Sequence, residues 1–120
     1  MGYYTNYSLT LLSEVDEKML PAIQKEIEEM NVFEDCTGRD WHVYEIKWYD
    51  HDQDMAILSK KFPNVVFELY GQGEDSEDMW YAYYKNGFVQ DCPAKITFDP
   101  YNANFLTPVV IAPDYTYSYS

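Results

Sequence analysis

The spacing of apolar residues along this chain switches between a period of two and a period near 3.6, and the order of those switches limits the folds open to it. Tyr3, Thr5, Tyr7, Leu9 and Leu11 alternate with Tyr4, Asn6, Ser8 and Thr10, the pattern of a strand with one buried face. Ser13-Glu14-Val15-Asp16 then reads as a helix start of the capping-box kind, and Val15, Met19, Ile23, Ile27 and Met30 recur near helical spacing. Pro21 falls inside that run, so it either kinks the helix or sits in the first turn of one that begins near Leu20. Asn31 is a plausible stop. Val32 to Cys36 is a short strand, Thr37-Gly38-Arg39-Asp40 a turn, and Trp41 to Tyr49 alternates again, which predicts a hairpin.

A second helix is predicted from Asp50 as cap, with Gln53 at the return position and an apolar stripe of Met55, Leu58 and Phe62, ended by Pro63. Val65, Phe67 and Leu69 mark a strand over 64–70. Residues 71–78 form a polar loop. Met79 to Tyr84 and Phe88 to Asp91 are strands joined through Asn86-Gly87, a pair that favours the left-handed geometry of a tight hairpin. The order predicts an α+β fold of ferredoxin-like type. It is a βαββαβ antiparallel sheet with two helices on one face, plus a C-terminal hairpin extension. Ile96 to Phe98 and Val109 to Ile111 are candidate edge strands, and 100–120 reads as an irregular or mobile tail on a single domain spanning 1–120.

Charge narrows the function classes. Twenty-one acidic residues face eight basic ones, for a net charge of −13. Such a chain is repelled by phosphate backbones, which argues against direct nucleic-acid binding, and it is attracted to basic protein surfaces. No long apolar run predicts a membrane span, and the first residues do not read as a signal peptide, so a cytoplasmic chain with Cys36 and Cys92 as free thiols is expected.

The residues from Glu45 to Gly87 resemble the YubB-type ferredoxin-like family of plasmid and phage proteins. The resemblance rests on Ile46-Lys47-Trp48-Tyr49, on Leu58-Ser59-Lys60-Lys61-Phe62-Pro63 leading into Asn64 to Gly71, and on the Gly73-Glu74 loop. It departs at Tyr49-Asp50-His51, where that family has a Ser-Pro turn. The resemblance implies a ferredoxin-like fold and a mobile-element origin, and no chemistry.

No catalytic or cofactor motif emerges. Asp50-x-Asp52-x-Asp54 begins like a calcium loop, but Met55 and Lys61 stand where such a loop needs Gly and Glu. Cys36, His42, His51 and Cys92 lack the close spacing of zinc ligands. Gly71-Gln72-Gly73 is followed by acids that repel phosphate. A non-enzymatic chain with no cofactor and no metal is the expectation. The candidate partner-binding residues are the loop acids Glu74, Asp75, Glu77 and Asp78, the acids Asp50, Asp52 and Asp54 at the second helix start, and the aromatics Trp80 and Tyr81 as apolar anchors. The expected role is a phage or mobile-element accessory protein. It would inhibit a host nucleic-acid-binding defence factor, of anti-CRISPR or anti-restriction type, by presenting carboxylates where phosphates bind. Two other readings stay open. One is an assembly module pairing as a homodimer through a sheet edge; the other is a nucleotide-derivative binder using the aromatic sheet face.

Overall fold

A computed structural model describes residues 3–75 and 77–117. Its elements are β1 (Thr5–Leu11), α1 (Leu20–Glu29), β2 (Asp35–Cys36), β3 (Asp40–Ile46), α2 (His51–Lys61), β4 (Phe67–Gln72), β5 (Met79–Lys85), β6 (Phe88–Pro93) and a 3-10 turn over Ala103–Phe105. The strands form one antiparallel sheet in the order β2-β3-β1-β4-β5-β6. The sheet is therefore wider than a four-strand unit, because the β5–β6 hairpin continues it beyond β4.

Register explains the core. Leu9 lies opposite Trp41 and Leu69, and Leu69 opposite Ala82. Leu11 lies opposite Phe67, and Phe67 opposite Tyr84. These residues share one face and are buried, and Ile23 and Ile27 of α1 and Met55 and Leu58 of α2 close over the same cluster. The alternation seen in β1 is thus the signature of a sheet covered by helices on one side only. The other face is open. One cross-strand row on it runs Asp35, His42, Ser8, Tyr70, Tyr81 and Cys92. Ser8 Oγ and His42 Nδ1 are hydrogen-bonded at 3.0 Å, and Tyr70 and Tyr83 flank Tyr81 with ring centroids 4.8 and 6.3 Å away.

Several expected boundaries move, each for a local reason. The first helix starts at Leu20, with Pro21 in its first turn, where the missing amide costs nothing. Residues 13–19 are irregular until a turn at 17–19, and Ser13 caps no helix: its Oγ accepts the Val66 amide at 3.0 Å, and its carbonyl accepts from the Arg39 guanidinium. Asn31 ends the helix region at φ 57, the left-handed geometry its short amide tolerates. Asp50 stands at the N-cap of α2 without a side-chain cap bond, while Asp52 and Asp54 in the first turn and Lys60 and Lys61 in the last oppose the helix dipole. The strand expected over 32–36 shrinks to two residues. The β3 strand ends at Ile46, after a bulge at which Glu45 takes φ 55 and its amide donates to Asn6 Oδ1 at 2.8 Å.

The largest departure is at the C-terminal end. Residues 96–98 and 109–111 are not strands, and every residue from Pro93 to Tyr117 is exposed. The tail expected over 100–120 is irregular from 100 to 117 apart from the 3-10 turn, and 118–120 lie outside the described residues. The radius of gyration, 21.0 Å, exceeds the roughly 14 Å of a compact chain this long because this arm projects from the body.

Gly71 is required by a close approach. A Cβ there would fall inside the Trp80 indole. Gly71→Ala is expected to destabilise the fold by about 1–3 kcal/mol as the indole is pushed aside. Urea unfolding followed by tryptophan fluorescence checks it, and an unchanged midpoint would show that Trp80 moves freely.

Candidate protein-interaction surface

Topology gathers the acids. Strands β3 and β4 both run antiparallel to β1, so both finish beside its first residues. The α2 start follows β3 and the β4–β5 loop follows β4. Asp50, Asp52 and Asp54 therefore share one end of the sheet with Glu74, Asp75, Glu77 and Asp78, although some twenty positions separate them in sequence. Trp80 bridges the two groups. Its ring stacks on the His51 imidazole with centroids 5.1 Å apart and meets Tyr7 edge-on at 6.0 Å.

The individual acids do different work. Asp52 accepts a short hydrogen bond from the Tyr84 hydroxyl and lies 3.8 Å from His51 Nε2. Asp54 accepts the Trp48 indole N–H at 2.7 Å. Both tie α2 to the core, and Asp52 stays exposed while Asp54 is half-buried. Asp78 is half-buried beside Tyr3 and Gly73, and its backbone carbonyl accepts the Gly73 amide at 2.8 Å. The Asp75 amide donates to the Tyr3 hydroxyl at 3.1 Å. Asp50, Glu74, Asp75 and Glu77 are exposed. Among the described residues the only Lys or Arg in an ion pair is Lys61, with Glu26, and His51 Nε2 lies 3.8 Å from Asp52, so the loop and helix-start acids at this end meet no lysine or arginine partner. The local field registers on Tyr3: the Asp75 amide favours its phenolate, yet the hydrogen bond to Asp78 and the charges of Asp78 and Asp75 raise its pKa on balance.

Trp80 and Tyr81 sit on opposite faces of β5. Trp80 is a half-buried strut, while Tyr81 belongs to the open-face tyrosine row, away from the helix-covered side. The aromatics that crown the acidic end are instead Tyr3, Tyr4 and Tyr49, the last 70% exposed. Tyr4, Asn6, Glu45, Gln72, Gly73 and Glu74 line a half-open cleft of about 510 Å³. The Tyr4 ring already carries a cation there: Lys47 Nζ lies 4.9 Å from its centroid. Sequence spacing held no signal for Tyr4, Glu45 or Tyr49 in this role, since only the β1–β3 and β1–β4 register brings them beside the loop.

The other motifs separate. Cys36 pairs with Trp41 and His42 with Asp35, so Cys36 and His42 lie in adjacent rows on opposite faces. Cys36 and Cys92 sit on the two edge strands, five strand spacings or roughly 24 Å apart, beyond the reach of a disulfide. His51 Nδ1 lies 3.0 Å from the Trp48 carbonyl, which can only accept, so that nitrogen carries the proton.

Burial raises the Tyr84 pKa well above the ordinary phenol range, with the hydrogen bond to Asp52 and its charge adding to the effect. Burial raises Tyr7 as well. Both phenols keep their protons in the fold above about pH 10, where an unfolded chain loses them, so the unfolded state then binds fewer protons. Their contribution to stability is complete below about pH 10 and is lost as pH rises through the folded values. Urea midpoints measured on the alkaline side should fall, and Tyr84→Phe should make that fall shallower; an equally steep fall would remove Tyr84 as a cause.

Comparison with family models, with curated proteins and with solved structures returns no match. No described helix is long and apolar enough to cross a membrane.

Proposed function

We propose that this chain is a non-enzymatic interaction protein whose acidic end occupies the nucleic-acid-binding surface of a basic partner protein. The observation that carries the reading is the convergence of the β4–β5 loop acids and the α2 start acids on one end of the sheet, with Asp50, Glu74, Asp75 and Glu77 exposed. Trp80, which follows the loop, stacks on His51 beside the α2 acids, so the two groups of carboxylates adjoin in one array. Such an array meets lysines and arginines arranged for successive phosphates, and it accelerates encounter with them. The cleft between Tyr4, Glu45 and Glu74 suits one basic side chain, with the ring and the carboxylates as its contacts. Tyr49 supplies an exposed aromatic anchor beside it.

The fold reading beneath this is ferredoxin-like for β1 to β4 with α1 and α2; β3 lying between β1 and β2, with β4 on the far side of β1, supports it. The resemblance of residues 45–87 to YubB-type proteins supports a mobile-element origin. With the charge it makes a host defence factor of anti-CRISPR or anti-restriction type the partner class of choice. The test is capture from bacterial lysate on the immobilised chain beside a variant carrying Glu74→Lys, Asp75→Lys and Glu77→Lys. The reading requires a basic nucleic-acid-binding protein that the native chain retains at low salt, releases at high salt, and that the variant does not retain. Equal retention on both would end it.

A further inference from the structure

We infer that the cleft beside Tyr4 is a seat for an arginine side chain, and that Lys47 holds its aromatic wall until a partner's arginine displaces it. This rests on the acidic end meeting a basic protein. It adds which side chain the cleft accepts and what restrains the contact.

Strand register builds the seat. Between β1 and β3 the pair Tyr7–Val43 gives way to Thr5–Ile46, a shift of one residue at the bulge. Continued from Thr5–Ile46, the register sets Tyr4 across from Lys47; without the bulge Tyr4 would face Ile46. On the other side the β1–β4 register ends at Asn6–Gln72, and its continuation brings Tyr4 beside Glu74. Tyr4 thus stands between a lysine and a glutamate. Glu45, within the bulge at φ 55, is fixed by its amide donating to Asn6 Oδ1, and it lines the cleft with Tyr4 and Glu74.

A cation on the ring shows what the seat takes. Lys47 Nζ lies 4.9 Å from the Tyr4 centroid, within the range of cation–π attraction. Among the described residues Lys47 makes no ion pair, although Glu45 and Glu74 line the cleft that shares this ring. Its ammonium therefore uses the ring and leaves both carboxylates unpaired. Lys47 lies past the end of β3 at Ile46 and is exposed, so its stem can swing away without disturbing the ladder.

Chemistry selects arginine as the occupant. A guanidinium is planar, stacks on an aromatic face, and is more weakly hydrated than an ammonium. Its forked N–H groups pair with a carboxylate while the plane rests on a ring. Arginine in the cleft would meet Tyr4 together with Glu45 or Glu74, whereas Lys47 meets the ring alone. The incoming side chain gains contacts that the resident one lacks, which is the condition for displacement. Each such arginine must still replace a cation already on the ring, so Lys47 weakens the contact it prepares.

Amide NMR on the isotope-labelled full chain tests this without any partner protein. Nα-acetyl-arginine amide and its uncharged citrulline counterpart are titrated while the Glu45, Gly73 and Glu74 amides are followed. Lys47→Ala is compared with Lys25→Ala, an equal change of charge at an exposed position of α1. The arginine compound should shift these amides and the citrulline compound should not. Lys47→Ala should bind the arginine compound about two- to fivefold more tightly than the native chain, the span of an exposed cation–π contact. Lys25→Ala should match the native chain. An affinity in Lys47→Ala no higher than in Lys25→Ala overturns the restraint by Lys47. Equal binding of the citrulline compound, or no response in either the native chain or Lys47→Ala, overturns the arginine seat. The acidic end as a whole is judged separately, by lysate capture on the loop-reversed variant.

Discussion

Phe67→Ala is expected to lower the unfolding free energy by about 3–5 kcal/mol, the largest effect of any single core truncation here. Phe67 is fully buried in β4, the strand shared between the β1 side and the β5 side of the sheet. It lies opposite Leu11 on one neighbour and Tyr84 on the other, so its ring fills the space where both helices close over the sheet. Alanine leaves a cavity that cannot collapse without moving Tyr84, and Tyr84 is held by Asp52 at the start of α2. A domain of this size has about 5–15 kcal/mol of stability in all, so the loss consumes a large part of it. Urea unfolding should show a much lower midpoint with an unchanged slope. A midpoint within experimental scatter of the native one would mean that Phe67 is not at the centre of the packing.

Reversing the exposed loop acids Glu74, Asp75 and Glu77 to lysine is expected to weaken partner binding by several orders of magnitude while leaving stability almost unchanged. The asymmetry follows from placement. These carboxylates are exposed and make no ion pair among those described, so the fold loses little when they go. At a basic partner surface each attraction becomes a repulsion, and like charges in contact cost several kcal/mol between them. The dependence of affinity on salt should flatten as well, since fewer counterions are displaced. Asp52→Lys, by contrast, should act on stability too, because Asp52 accepts from Tyr84. Parallel titrations of binding and of urea midpoint for the two variants separate the roles. Binding lost only in proportion to stability would assign the loop a structural part.

The periodic segments were legible from sequence because burial on one face writes itself into alternation. Strand β1 and the α2 stripe of Met55 and Leu58 follow from that, and the Asn86-Gly87 turn, with φ 49 and 81, follows from the left-handed geometry those two residues accept. Ser13 was misleading: its capping signature is satisfied in a different way, by the Val66 amide across the sheet. Alternation implied that Trp80 and Tyr81, adjacent on one strand, face opposite sides; their surroundings, His51 and Tyr7 for one and Tyr70 and Tyr83 for the other, were not legible. The acidic blocks were visible, and their meeting at one end was not, because it depends on which strands flank β1. The arm was the least legible. Its Val-Val-Ile and Ile-Thr-Phe runs carry strand propensity but form no strand, because propensity counts only where a neighbouring strand supplies the ladder.

The most direct measurement is a competition. The basic partner captured by the native chain would be saturated with its own nucleic acid, and binding of the chain followed as that nucleic acid is titrated. Occupation of the same surface requires mutual exclusion: chain and nucleic acid displace each other fully, with an apparent affinity for the chain that falls in proportion to the nucleic acid added. A ternary complex holding the partner, its nucleic acid and the chain together, with the chain's affinity unchanged, would contradict the acidic end as a stand-in for phosphates.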